Sequence, residues 1–334
     1  MVVLALAVLR KRNDCLRCSG SATLLTMTNT VLITGPTRGL GRAATLAMAG
    51  RAPGERPDLL LVGRSGKALA EVAAAARARG AVVHEIGCDL ARLADVRAAA
   101  ATVRDLLDSG AVRPLGAIVA NAGAMTTDTR LASADGYEMT FAVNYLAHAQ
   151  LIGDLLDRVA GSGRIVLLGS NTYSANFWRK LLSVPEADWR DPVEIARPAT
   201  GAANPGMKAA GVAYSNAKLA ILYYAHELQR QAGRDVNVAV FEPGWMPGSS
   251  LGRGAPEALQ AIARGVARLP GVSTPESSGP ELASIALDDR WAGLRDGAFV
   301  VHDKVTEVKP VAQDRDRERR LWAATAELLQ RTSA

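Results

Sequence analysis

The chain has 334 residues, of which 49% are hydrophobic, 22% charged and only 4% aromatic. That is the composition of a globular α/β protein with a substantial core, and no run approaches the roughly 18–20 apolar residues of a membrane span. The formal charge of +6 argues only weakly for nucleic acid: Arg10, Lys11, Arg12 and Arg17 against Asp14 put +3 of it in the first 26 residues. The other arginines are scattered, and so few aromatics build no base-stacking surface, so no nucleic-acid partner is expected.

Residues 1–28 read as a leader, disordered or carried by a mis-assigned start, with translation expected to begin near Met27. The apolar run Val2 to Leu9 precedes its basic cluster, the wrong order for a secretory signal. Cys15-x-x-Cys18 is half of a zinc pattern with no second half. Beyond it only Cys88 remains, which excludes a disulfide framework and favours a cytoplasmic setting.

Residues 29–334 read as a single domain. Val31-Leu32-Ile33-Thr34 is a short β-branched strand, followed at once by Gly35-Pro36-Thr37-Arg38-Gly39-Leu40-Gly41 and a helix from Arg42 to Gly50. Strand, glycine turn and helix together make a phosphate-binding hypothesis. Gly35 permits the sharp turn, and Gly39 and Gly41 let backbone N–H groups approach a pyrophosphate. The next strand, Leu59 to Val62, ends in Gly63-Arg64-Ser65. An acidic residue near this point would hold ribose hydroxyls; Arg64, with Arg38, suits a 2′-phosphate instead. The pattern predicts NADP(H) rather than NAD(H).

A helix over 66–79, a strand over 81–86 leading to Cys88-Asp89-Leu90, and a helix over 94–107 follow. A fourth strand, Leu115 to Ala120, ends in Asn121-Ala122-Gly123, and a helix over 136–160 carries Asn144. A fifth strand, Arg164 to Leu168, ends in Gly169-Ser170. A helix over 214–231 opens on Tyr214-Ser215-Asn216-Ala217-Lys218, placing phenol and ammonium one turn apart on one face. The strand Val236 to Phe241 leads to Pro243-Gly244, and a last strand, 298–301, precedes a charged C-terminal helix. Apolar strands alternating with helices predict one doubly wound parallel sheet of Rossmann type, covered on both faces.

A cation beside a tyrosine pulls the phenol toward neutrality, and moving it from ~10 to ~7 asks for about 4 kcal/mol. Thr34-Gly35-x-x-x-Gly39-x-Gly41, Asn121-Ala122-Gly123, Asn144, Ser170 and Tyr214-x-x-x-Lys218 stand in that order. The arrangement resembles the short-chain dehydrogenase/reductase family over about residues 29–330. It is most similar to the retinol dehydrogenase and protochlorophyllide reductase group through Arg38 to Gly41, Tyr214 to Ala220, Pro243 to Ser249 and Arg320-Leu321-Trp322.

The resemblance implies the catalytic set Asn144, Ser170, Tyr214 and Lys218. Tyr214 is the expected acid–base group, Lys218 lowers its pKa and holds the nicotinamide ribose, and Ser170 binds the substrate oxygen. Asn144 is expected to anchor a water leading from Lys218 to solvent. Thr34, Gly35, Thr37, Arg38, Gly39, Leu40, Gly41, Arg64 and Ser65 are expected to bind NADP(H), with Asp89 and Leu90 at the adenine. Asn121, Ala122, Gly123, Tyr214, Lys218, Pro243 and Gly244 complete the cofactor set. The expected activity is NADP(H)-dependent hydride transfer to a carbonyl of a medium-sized, mainly apolar molecule. A protochlorophyllide-type alkene reductase and a non-catalytic nucleotide sensor are the alternatives.

Ser170 and Tyr214 lie 44 positions apart, far more than in most relatives, which marks an insertion over about 172–212. Trp178, Leu181, Leu182 and Val184 within it would form one face of a short helix over the substrate. Filling the space where relatives dimerise, it predicts a monomer. The segment Trp245 to Leu269 is the expected substrate lid, hinged at Gly244, Gly248, Gly252 and Gly254 and lined by Leu251, Leu259 and Ile262. His84, His148, His226 and His302 are dispersed, so no metal site is expected.

Overall fold

The computed structural model describes residues 29–174, 185–246 and 272–331. The leader, the residues proposed as an insertion helix and most of the expected lid lie outside them. Eight strands form one sheet: β1 (Thr30–Thr34), β2 (Asp58–Gly63), β3 (Val83–Gly87), β4 (Leu115–Ala120), β5 (Val159–Leu168), β6 (Val236–Glu242), β7 (Ala298–Val301) and β8 (Lys304–Val305). Their order is β3-β2-β1-β4-β5-β6-β7-β8. All neighbours are parallel except β7 and β8. The chain reverses its direction of travel between β1 and β4, which opens a crevice beyond the C-terminal ends of those strands.

Residue alternation divides the core. Val31, Ile33, Leu59 and Leu61 face one side, against α1 (Gly39–Ala49), α2 (Lys67–Arg77) and α6 (Pro275–Leu287). Leu32, Leu60, Val62 and Ile118 face the other, against α3 (Leu93–Asp108), α4 (Met139–Leu155), α5 (Gly206–Ala232) and α7 (Arg315–Arg331). Period 2 along a strand with both faces buried leaves near-continuous apolar runs, which is why the central strands were legible.

Four local features depart from the sequence reading. The helix expected over 136–160 is composite: α4 consists of Met139–Phe141, a π-helical turn Ala142–Leu146, and Ala147–Leu155, and β5 already starts at Val159. Helix α5 begins at Gly206 rather than 214, taking its first turns from the proposed insertion. Helix α6 was not anticipated. Thr274 and Ser277 form a reciprocal capping box at its start, and Gly279 allows it to lie against α1. A Cβ at Gly279 would stand 2.5 Å from the Ala43 Cβ, so this close crossing requires glycine. The short antiparallel edge strand β8 was also unforeseen.

Helix α7 covers the outer face of α4 and α5. Trp322 stacks on Tyr224 with centroids 5.5 Å apart, and the Tyr137 hydroxyl donates to the Leu328 carbonyl at 2.6 Å. Buried Glu318 accepts from Arg230 and bonds the His226 ring at 2.7 Å. From the connection between β5 and α5, Trp189 meets Tyr223 edge-on at 4.9 Å.

Candidate active site

The expected site residues lie at the C-terminal ends of β1 to β6 or on the helices leading from them, along one edge of the sheet. At the end of β1, Gly35 and Gly39 take positive φ, +65° and +52°. A Cβ on Gly41 would stand 2.2 Å from the Gly35 carbonyl oxygen and 2.4 Å from Asn121 Nδ2. The turn therefore exists only because Gly41 carries no side chain. Helix α1 begins here without a side-chain cap from Arg38 and without an acidic residue in its first turn. Nothing stands within 4 Å of where a Cβ on Gly39 would be. An open helix N-terminus of this kind offers backbone N–H groups to a phosphate, and these residues fit the pyrophosphate of a dinucleotide.

Asn121 and Ala122 are locked to this turn. The Thr34 hydroxyl accepts the N–H groups of Asn121 and Ala122, each at 3.0 Å. Asn121 Nδ2 donates back to the carbonyls of Thr34 and Gly35, at 2.9 and 3.2 Å. Asn144, in the π-helical turn of α4, clasps the same loop further along. Its Oδ1 accepts from Ala124 N–H at 2.7 Å and its Nδ2 donates to the Ala124 carbonyl at 2.9 Å. Its amide thus holds the β4 loop, a task that the expected water relay left out.

On α5, Lys218 is 2% exposed, and its Nζ lies 5.5 Å from the centre of the half-buried Tyr214 ring. Burial lowers the lysine from 10.5 to about 8, and the Glu242 carboxylate opposes the shift. Nζ donates to the Leu168 carbonyl at 2.6 Å, tying the ammonium to the end of β5, two residues before Ser170. The half-buried Ser170 caps a single 3-10 turn, its hydroxyl accepting from Thr172 N–H at 3.3 Å.

Other expected positions are spread along the crevice. Arg38, Arg64 and Ser65 are exposed; the Ser65 hydroxyl leans over Gly87 at the end of β3. Asp89, also exposed, accepts from Ala91 N–H at 3.1 Å in a local turn. Cys88 beside it is buried, and burial with Asp95 and Asp89 pushes its thiol up to about 12. The Pro243 carbonyl accepts from buried Ser278 on α6 at 3.0 Å.

Two residues in this region were given no site role by the sequence reading. Glu242, 5% exposed, ends β6 and accepts from Gly244 N–H at 3.1 Å, bracing the Pro243-Gly244 turn. Its sequence signal was a carboxylate closing an apolar strand directly before Pro-Gly. His148, 2% exposed, bonds both Thr34 and Asn144; its signal was its place one turn beyond Asn144. Among the described residues no group of three or more His, Cys, Asp or Glu is arranged to hold a metal ion. No helix among them is long and apolar enough to cross a membrane.

Residues 29–178 match the family model for short chain dehydrogenases. Mouse polyprenol dehydrogenase is 30% identical over 305 residues, covering 87% of this chain and 81% of that protein. Human retinol dehydrogenase 13 is 27% identical over 310 residues, covering 90% and 84%. A protein of Streptomyces sp. (strain C5), named for daunorubicin C-13 ketoreduction, is 38% identical over 146 residues. That match spans 43% of this chain and only 47% of that protein. A short chain dehydrogenase from Burkholderia cenocepacia, solved with NADP, superposes with a TM-score of 0.59 at 20% identity, covering 83% and 98%. With the glycine turn, the Asn-Ala-Gly loop and the Tyr-Lys helix on one sheet edge, the chain belongs to the short-chain dehydrogenase family and is similar to the retinol dehydrogenases within it.

Proposed function

We propose that this enzyme uses NADPH to reduce a carbonyl of a medium-sized, mainly apolar molecule. The observation that carries the reading is the fully buried Lys218, facing the Tyr214 ring and fastened to the strand end that bears Ser170. An ammonium in that position stabilises a phenolate, so Tyr214 can give up its proton near neutral pH. The Ser170 hydroxyl then hydrogen-bonds the substrate oxygen as negative charge develops there. Nζ spends one hydrogen on Leu168 and has two left for the phenol and a ribose hydroxyl. The nicotinamide, when bound, supplies the hydride.

Exposed Arg38 and Arg64 favour a 2′-phosphate on the adenosine ribose, as the NADP-bound structural neighbours also suggest. For substrate class, Leu131, Met207 and Trp245 are large apolar side chains at least half exposed, Leu131 and Trp245 on connections leaving the C-terminal edge of the sheet and Met207 in the first turn of α5. They suit an apolar substrate, as the names of the polyprenol and retinol relatives do. Residues 29–334 are read as one domain. With α7 and Trp189 covering α5, the working state is a monomer. Incubation with 4-deuterated NADPH and a panel of apolar ketones tests the reading. Deuterium on the carbinol carbon of one product supports it, and no transfer to any ketone, with NADPH bound, overturns it.

A further inference from the structure

The buried ring of His148 makes two hydrogen bonds, Nε2 to the Thr34 hydroxyl at 2.9 Å and Nδ1 to the Asn144 backbone carbonyl at 3.1 Å. Donor counting fixes its protonation. A threonine hydroxyl has one proton and two acceptor lone pairs. Both lone pairs of Thr34 Oγ1 already accept N–H groups, from Asn121 and from Ala122. Its proton therefore goes to His148, Nε2 accepts, and the hydrogen on Nδ1 is donated to Asn144. An imidazolium would bring a second donor to a hydroxyl with no lone pair left. Burial, together with the nearby Lys218 charge and against the Asn144 bond, takes the ring down to about 4 in the same sense.

We propose that His148 is a positioning residue held as the neutral Nδ1–H tautomer, which registers the helix of Asn144 against both loops of the cofactor crevice. Thr34 joins the glycine turn to the β4 loop, Asn144 joins that loop to α4, and His148 closes the ring between them. The ring spans the end of β1, the end of β4 and the π-helical turn, so it sets the distance between the phosphate-binding loop and the catalytic helices. The part of this inference that concerns affinity rests on the dinucleotide reading above; the tautomer does not.

The test uses the full-length protein. In the cofactor-free enzyme, long-range 15N–1H spectra should show a protonated Nδ1 and a bare Nε2 on His148 from pH 5 to pH 8. A protonated Nε2, or titration above pH 6, overturns the proposal. His148→Leu should speed hydrogen exchange at the Asn121 and Ala122 amides and raise the NADPH dissociation constant, each by about tenfold, as expected when a buried donor and acceptor are orphaned. The ring-nitrogen spectra separate this role from general loosening of the fold, which would speed exchange and weaken binding without fixing the ring proton. Unchanged exchange and affinity overturn the proposal. Thr34→Val, which keeps the shape and deletes the hydroxyl, is the second variant: the Asn144 carbonyl still holds the hydrogen on Nδ1, and the bare Nε2 resonance should shift as it loses its donor; an unmoved Nε2 resonance counts against the lock. If the wild-type enzyme fails to bind NADPH while tautomer and exchange behave as stated, the lock is supported and the dinucleotide reading alone falls.

Discussion

The Lys218 ammonium donates to the Leu168 backbone carbonyl at 2.6 Å. One bond thereby joins the helix of Tyr214 to the strand that leads into Ser170, and three of the four expected catalytic side chains share a single support. The cation is held by a backbone group of a central strand, so its position does not depend on the loops around it.

That burial has a signature in stability. Lys218 titrates at about 8 in the fold against 10.5 for the ordinary side chain, so the unfolded chain holds this proton more tightly. Between about 8 and 10.5 the unfolded state binds more protons, and the contribution of Lys218 to stability rises with pH; below about 8 the burial penalty is constant. In the cofactor-free enzyme Lys218→Met should gain about 3 kcal/mol at pH 7 from relief of that penalty, an advantage that shrinks toward pH 10.5. Denaturant titrations across this range check it, and a difference that does not vary with pH contradicts the burial account.

Gly41 and Gly39 should respond differently to alanine. A methyl on Gly41 collides with the Gly35 carbonyl and the Asn121 amide, both fixed groups. Gly41→Ala should therefore cost about 1–3 kcal/mol and lose measurable NADPH binding. Gly39→Ala meets open space and only the strain of a positive φ, a cost of about 1 kcal/mol. Thermal melts and fluorescence titration of the two variants give the order.

Cofactor choice is predicted to sit on two exposed guanidiniums. Arg64→Ala and Arg38→Ala should each lower the preference for NADPH over NADH by roughly tenfold, mostly through KM for NADPH. Steady-state kinetics with both dinucleotides read this directly, and an unchanged ratio in both variants would place the selectivity elsewhere.

The cover over α5 predicts oligomeric state. Trp322 and Trp189 sit on Tyr224 and Tyr223, leaving that helix face no room for a second copy. Light scattering should give a monomer at micromolar concentration. Trp322→Ala should destabilise by about 1–2 kcal/mol as a large half-buried aromatic is removed. A wild-type dimer or tetramer would show that another face associates.

Much of this could be read from the chain because the informative signals were local. The apolar strands, the glycine turn and the Tyr214–Lys218 spacing each declare themselves within a few residues. What escaped depends on tertiary context. Helix α6 opens Pro-Glu-Ser-Ser-Gly-Pro, a sequence of breakers. It becomes helical through the Thr274–Ser277 capping box and the contact that Gly279 permits with α1. The π-helical turn at Asn144 has no sequence signal of its own, since Ala142 to Leu146 would continue an ordinary helix. The start of α5 was hidden because Gly206 to Gly211 looked like part of the insertion. His148 and Glu242 were visible as polar residues in apolar runs, but only the folded arrangement shows the one between Thr34 and Asn144 and the other beside Lys218.

The central claim is that the Tyr214 phenol, prepared by Lys218, protonates the substrate oxygen. It is tested most directly by NADPH oxidation with a substrate ketone in wild-type enzyme and in Tyr214→Phe, with NADPH affinity measured alongside. Turnover in the variant should fall by about 10²–10⁴-fold while NADPH binds as before. A variant that turns over at the wild-type rate would contradict it.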